Sequence, residues 1–189
     1  MAKVLLKENE IKKITVSLGK KITKLFKDDP LPPVLIGVLK GATPFFVDVI
    51  KEVKIMAEID FVQYSSYGNG TKAGVIVLKK DLDAKIKNRN VVVFEDILDS
   101  GHTLFELKKY LHNFKPKNVF IAALLDKPSR REVDIKADFV GKTIDNLFVV
   151  GYGLDYAEYY RNSKDILVLD KNDQKAIDKL VAKVKKGTK

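Results

Sequence analysis

The sequence predicts an α/β fold: a central, mostly parallel sheet flanked by helices, with a small hood subdomain built from N-terminal and C-terminal segments. Three observations carry this reading. Short β-branched runs alternate with helix-spaced segments through the middle of the chain, the signature of parallel βαβ units. The apolar run VVVF at 91–94 drives straight into Glu95 and Asp96, so the best strand in the chain ends on carboxylates. The 189 residues hold no internal repeat, long linker or low-complexity stretch, which fits a single domain over 1–189.

Each element follows in turn. Ile11, Ile14, Leu18, Ile22 and Leu25 recur at helical spacing, giving an amphipathic helix over residues 8–27 that Asp28-Asp29-Pro30 and Pro32-Pro33 terminate. A buried strand at 34–39 runs into Lys40-Gly41, and Phe45, Phe46, Val49 and Ile50 place a helix after it. AEIDFVQYSS reads as a strand, YGNGTK as a turn-rich loop, GVIVLKKDL as the returning strand and DAKIKNRN as a polar turn. VVVFEDI is the next strand, TLFELKKYLHNF a helix and NVFIAALL a strand. Short strands follow at 139–141, 147–151 and 165–169, and a helix at 173–185 closes the chain. The strands around 57–80 and 139–169 break the alternation and are expected in a hood or flanking ribbon.

Composition narrows the function. The net charge of +10, from 35 Lys and Arg against 25 Asp and Glu, favours an anionic partner, either nucleic acid or a polyphosphorylated small molecule. The lysines are scattered and dense only in KLVAKVKKGTK, so a solvated surface outweighs a nucleic-acid footprint. With no cysteine, disulfides and thiolate metal sites are excluded, and with only His102 and His112 a His-rich zinc site is not expected. MAKVLLKENE lacks the apolar core of a signal peptide, and no apolar run approaches the ~18 residues of a membrane span. A cytoplasmic protein without a membrane partner is expected.

The stretch VVVFEDILDSGHT carries the chemistry. Ligands of open α/β sheets bind beyond the carboxyl ends of strands. DSGHT feeds a helix near Thr103, so its backbone N–H groups form a phosphate cradle, with Gly101 allowing close approach and Ser100 and Thr103 adding hydroxyls. Carboxylates repel phosphate, so Glu95 and Asp96 must serve a different purpose, either accepting sugar hydroxyls or holding Mg2+. An N-cap role for Asp99 or Ser100 explains one residue but not the Glu-Asp pair. The loop looks built for a sugar phosphate.

VVVFEDILDSGHT resembles the phosphoribosyl pyrophosphate (PRPP) signature of the type I phosphoribosyltransferases. LKG at 39–41, SSY at 65–67, LLDKPSRR at 124–131 and FVVGYGLDYAEYYR at 148–161 stand in the order found in the hypoxanthine-guanine branch of that family, and the resemblance spans residues 34–170. It implies the type I phosphoribosyltransferase fold and Mg2+-dependent transfer of the 5-phosphoribosyl group from PRPP to N9 of hypoxanthine or guanine. The products would be IMP or GMP and pyrophosphate, a purine-salvage reaction.

The resemblance also implies roles. Glu95 and Asp96 hold the ribose hydroxyls, and with Asp155 they are the metal-binding acids. Asp99 is the general base near N7 of the purine, while Asp99, Ser100, Gly101, His102 and Thr103 wrap the 5′-phosphate. Lys40, Gly41 and Arg161 take pyrophosphate, with a non-proline cis peptide at Leu39–Lys40. Lys127 donates to O6, which disfavours adenine. Phe148 stacks on the base, Val149 presents backbone groups to its edge, and the backbone beside Asp155 lies near its 2-position. Ser66 and Tyr67 belong to a lid that Gly68 and Gly70 make flexible. His102 and Asp126 depart from familiar members. Asp126 is expected to orient Lys127 or bear on xanthine use, and Gly153 to loosen the loop before Asp155. A homodimer or homotetramer is implied. The rival readings are a nucleic-acid-binding regulator on the same fold and a xanthine-preferring enzyme; a nucleotide hydrolase fails for want of a GxxxxGK[ST] loop.

Overall fold

The computed structural model describes residues 2–67 and 75–187. Its main sheet has six strands in the order β4-β3-β2-β5-β6-β7. These are β2 (Val34–Leu39), β3 (Glu58–Tyr67), β4 (Val75–Lys80), β5 (Asn90–Leu98), β6 (Asn118–Asp126) and β7 (Phe139–Thr143). All neighbours are parallel except the β3–β4 pair at the edge.

Helices α1 (Glu8–Phe26) and α2 (Thr43–Glu52) cover one face of the sheet, and α3 (His102–His112) covers the other. β5 shows why its sequence is continuously apolar. Val92 and Phe94 pack with Leu18, Ile22, Phe45 and Phe46, while Val91 and Val93 pack with Leu104, Leu107 and Leu111. A strand buried on both faces has no polar side, so alternation is lost. The site can therefore form only where β5 leaves the sheet.

A second, antiparallel sheet joins β1 (Lys3–Leu6), β9 (Ile166–Val168) and β8 (Val149–Val150), in that order. Helix α4 (Lys171–Gly187) follows, and Ile177 packs with Val150 and Leu169. One sequence expectation is corrected and two features are added to it. β3, β4 and β7 belong to the main sheet rather than to a flanking ribbon. β1 lies in a stretch read only for targeting; it pairs with β9, across nearly the whole chain. The expected polar turn at 83–90 hides Ile86, which is buried under the α3 face.

Candidate active site

The acids at the tip of β5 are packed rather than solvated. Asp96 is buried, and its Oδ1 accepts the Ile97 N–H at 2.8 Å. Glu95 Oε2 is buried and, among the described residues, has no hydrogen-bond partner. Burial, then the charge of Asp96, hold the Glu95 carboxyl well above the usual carboxylate range, and burial raises Asp96 too.

Two neighbouring loops close on this pair. A Cβ on Gly41 would lie 1.9 Å from Asp96 Oδ2, and one on Gly153 would lie 1.9 Å from the Gly41 carbonyl oxygen. Gly153 also has φ +99°. Its missing side chain thus lets the two loops touch, the reverse of the loosening expected from sequence. The Leu39–Lys40 peptide is cis.

Past β5 the chain turns through Gly101, at φ 90°, into α3. A Cβ there would meet Ile135 Cγ2 at 2.6 Å, so only glycine fits the turn. Among the described residues, the N–H groups of Ser100, Gly101, His102 and Thr103 have no acceptor in the protein. A cavity of about 270 Å³ sits here, lined by Glu95, Asp96, Asp99, Ser100, Gly101 and Thr103, with Val38, Leu39, Tyr64, Ile97, Leu98 and Leu104. The His102 ring is engaged outside it, with Nε2 2.9 Å from Glu132 Oε2.

The residues after β6 converge on Asp99. Lys127 Nζ donates to Asp99 Oδ2 at 3.2 Å, and Arg130 Nε donates to Oδ1 at 3.1 Å. The short 3₁₀ turn Pro128–Arg130 makes this convergence possible by reversing the chain. Arg131 donates to the Asp99 carbonyl and to the Asp126 carboxylate. Asp126 therefore pairs with Arg131 and not with Lys127, contrary to the first of the two sequence expectations for it.

A second cluster lies in the loop after β8. Arg161 pairs with Asp155 at 2.8 Å and donates to the Gly153 carbonyl at 2.7 Å. Asp155 also accepts the Glu158 N–H at 2.8 Å. Glu158 spans both cations of the cluster, Lys40 at 2.7 Å and Arg161 at 3.3 Å. Phe148 is 44% exposed and forms a T-shaped pair with Tyr156, with ring centroids 5.4 Å apart. Val149 is buried and paired with Val168.

The structure thus gathers Glu95, Asp96, Asp99, Ser100, Gly101 and Thr103 on one cavity. Lys127 is tied to that cavity through Asp99, and Gly41 through Asp96; Lys40, Arg161 and Asp155 form an adjoining cluster. Ser66 and Tyr67 end β3, while the lid glycines Gly68 and Gly70 lie outside the described residues. Sequence reasoning assigned no role to Arg130, Arg131, Glu132 or Glu158. The charged run SRRE behind Lys127 was the available signal for the first three; nothing in the pattern marks Glu158.

Comparison with known proteins places this geometry in a class. The family described as "Phosphoribosyl transferase domain" matches residues 6–157, and the chain belongs to that family. Within it, the chain is 49% identical to hypoxanthine-guanine phosphoribosyltransferase of Bacillus subtilis over 168 residues, covering 88% of this chain and 92% of the relative. It is 45% identical to hypoxanthine phosphoribosyltransferase of Escherichia coli over 161 residues, 84% of this chain and 90% of the other. Hypoxanthine phosphoribosyltransferase of Staphylococcus aureus superposes with a TM-score of 0.84 at 44% identity, covering 89% of this chain and 91% of that one. The Trypanosoma cruzi enzyme gives 0.88 at 34%, covering 93% and 95%.

Proposed function

We propose that this chain is a hypoxanthine-guanine phosphoribosyltransferase of purine salvage. It joins N9 of hypoxanthine or guanine to C1′ of PRPP with loss of pyrophosphate, giving IMP or GMP. The observation that carries the reading is the shared cavity at the end of β5, where a carboxylate pair shares a pocket with a loop whose N–H groups are unpartnered among the described residues. Carboxylates suit the ribose diol and the N–H groups suit the 5′-phosphate.

The other assignments follow the same chemistry. Asp99 takes the proton from N7 as the N9–C1′ bond forms and the bond to pyrophosphate breaks. Lys127 donates to O6 and so selects 6-oxopurines; Phe148 stacks on the base, Val149 offers its backbone to the edge, and the backbone near Asp155 meets the 2-position. Lys40, Gly41 and Arg161 bind pyrophosphate, and Ser66 and Tyr67 belong to the covering lid. The β1-β9-β8 sheet serves as the hood. The cytoplasm is the proposed location, with a homodimer or homotetramer as the assembly.

The donor set fits Mg2+. Among the described residues Glu95 Oε2 lacks a partner, and the raised carboxyls of Glu95 and Asp96 would be relieved by a divalent cation. Among the described residues no cluster of three or more acids or histidines is preformed, so substrate oxygens would complete the shell, as Mg2+ commonly requires. When bound with Glu95, Asp96 and Asp155, the ion would offset charge developing on the departing pyrophosphate.

Product formation from PRPP and Mg2+ with each of hypoxanthine, guanine, xanthine and adenine tests the proposal. Turnover with the first two and little with adenine is expected. Rapid adenine use would remove Lys127 from its assigned role, and no turnover with any base would end the reading.

A further inference from the structure

We infer that Arg131, braced by Asp126, is a positioning residue that turns the Ser100 amide into the anion cavity, beside the Gly101 amide that the adjoining Glu132 N–H aims. The inference deepens the reading of that cavity as a phosphate site and rests on it.

A trans peptide points the carbonyl and the following N–H in opposite directions within one plane. Whatever captures the carbonyl therefore aims the amide. The Asp99 carbonyl is captured by Arg131, so the Ser100 N–H points away from Arg131. The Ser100 carbonyl is captured by the Glu132 N–H at 3.0 Å, which aims the Gly101 N–H the same way. Two consecutive peptide planes are thus set by one adjacent segment, 131–132. Ser100 and Gly101 line the cavity, while Arg131 and Glu132 do not; the clamp acts from behind the wall. Packing agrees, because a Cβ on Gly101 would meet Arg131 Cδ and Val133 Cγ2, each at 3.1 Å.

Asp126 makes the clamp rigid. It is the last residue of β6, paired in the sheet with Leu98 and with Thr143, and its carbonyl accepts the Ile144 N–H at 2.9 Å. The Asp126 and Arg131 side chains are 15% and 16% exposed, so the pair is largely shielded from water. A guanidinium can serve a carboxylate and a carbonyl at once through separate N–H groups; an ammonium has no such planar fork. Successive amides aimed at one point form an anion-binding concavity that needs no reorganisation when ligand arrives. Arg131 itself touches no substrate.

Amide NMR of the full chain titrated with inorganic phosphate reads this directly. In the wild type, phosphate should move the Ser100 and Gly101 amide resonances downfield. In Arg131→Met the Ser100 movement should vanish while that of Gly101, aimed by the Glu132 N–H, persists, and KM for PRPP should rise roughly 10- to 100-fold, the size of effect a misplaced binding group produces, while KM for hypoxanthine stays unchanged. Arg131→Lys and Asp126→Asn should fall between, with melting temperatures reporting that each variant is folded. A folded Arg131→Met that retains the Ser100 shift and the wild-type KM for PRPP would overturn the inference, as would wild-type amides that ignore phosphate. Equal rises in both KM values, tracking a fall in melting temperature, would reduce Arg131 to a structural role and overturn it too. Phosphate-responsive amides in a protein that never turns over PRPP would instead refute the proposed activity and leave the clamp standing.

Discussion

The Lys127 ammonium donates to the Asp99 carboxylate across 3.2 Å, and Lys127 is only 6% exposed. The two groups assigned to N7 and O6, neighbouring atoms on one edge of the purine, therefore hold one another before ligand arrives. Base entry must loosen this pair, giving Lys127 an O6 acceptor and Asp99 a proton to accept. Lys127→Met should lower kcat/KM for hypoxanthine and guanine by roughly 10- to 100-fold, the cost of one charged hydrogen bond. The same change should narrow the gap to adenine. Steady-state kinetics with the three bases would check both.

Glu158 places one carboxylate across Lys40 and Arg161, the cations proposed to grip pyrophosphate. It occupies their hydrogen-bonding capacity as an anion would. Glu158→Gln should lower KM for PRPP and tighten product inhibition by pyrophosphate. Because the pair is exposed, the gain should stay under about fivefold. A higher KM would contradict this competition.

How much of this was legible in the sequence depends on what each segment answers to. β5 and its acids were readable because a doubly buried strand and a phosphate loop both leave local signatures. β1 was not, since four residues gain their meaning only from pairing with β9. The roles of Arg131 and Glu158 were hidden for a similar reason. A charged residue in a Lys-rich chain looks like solvated surface until the 3₁₀ turn or the loop after β8 brings it to its partner. Gly153 was misread because its spacing suggests freedom, whereas its contact with the Gly41 carbonyl makes it a point of closest approach.

Glu95 should make the fold less stable as pH rises. Its carboxyl is held above its ordinary value by burial and by Asp96, so the native state binds more protons than the unfolded chain above about pH 4.5. Its contribution is complete below that pH and is lost as pH rises through the raised value. Glu95→Gln should therefore raise Tm at neutral pH by about 2–4 °C, the shift ~1 kcal/mol produces at this chain length. The gain should disappear near pH 4.5, and activity should drop at every pH. Calorimetry across pH would settle the sign.

Gly153→Ala would force a Cβ onto the Gly41 carbonyl at a backbone angle that L side chains rarely adopt. A loss of about 1–3 kcal/mol is expected, as for other strained backbone sites. The damage should fall on the pyrophosphate side, raising KM for PRPP more than KM for hypoxanthine. Denaturant melts and the two KM values would test it.

The most direct measurement of the whole account is turnover of Asp99→Asn with PRPP, Mg2+ and hypoxanthine at saturating substrate. Removing a general base from an otherwise intact cavity should cut kcat by roughly 10²- to 10⁴-fold while PRPP still binds. Wild-type turnover in that variant would contradict the assignment of Asp99, and with it the claim that catalysis resides in the turn beyond β5.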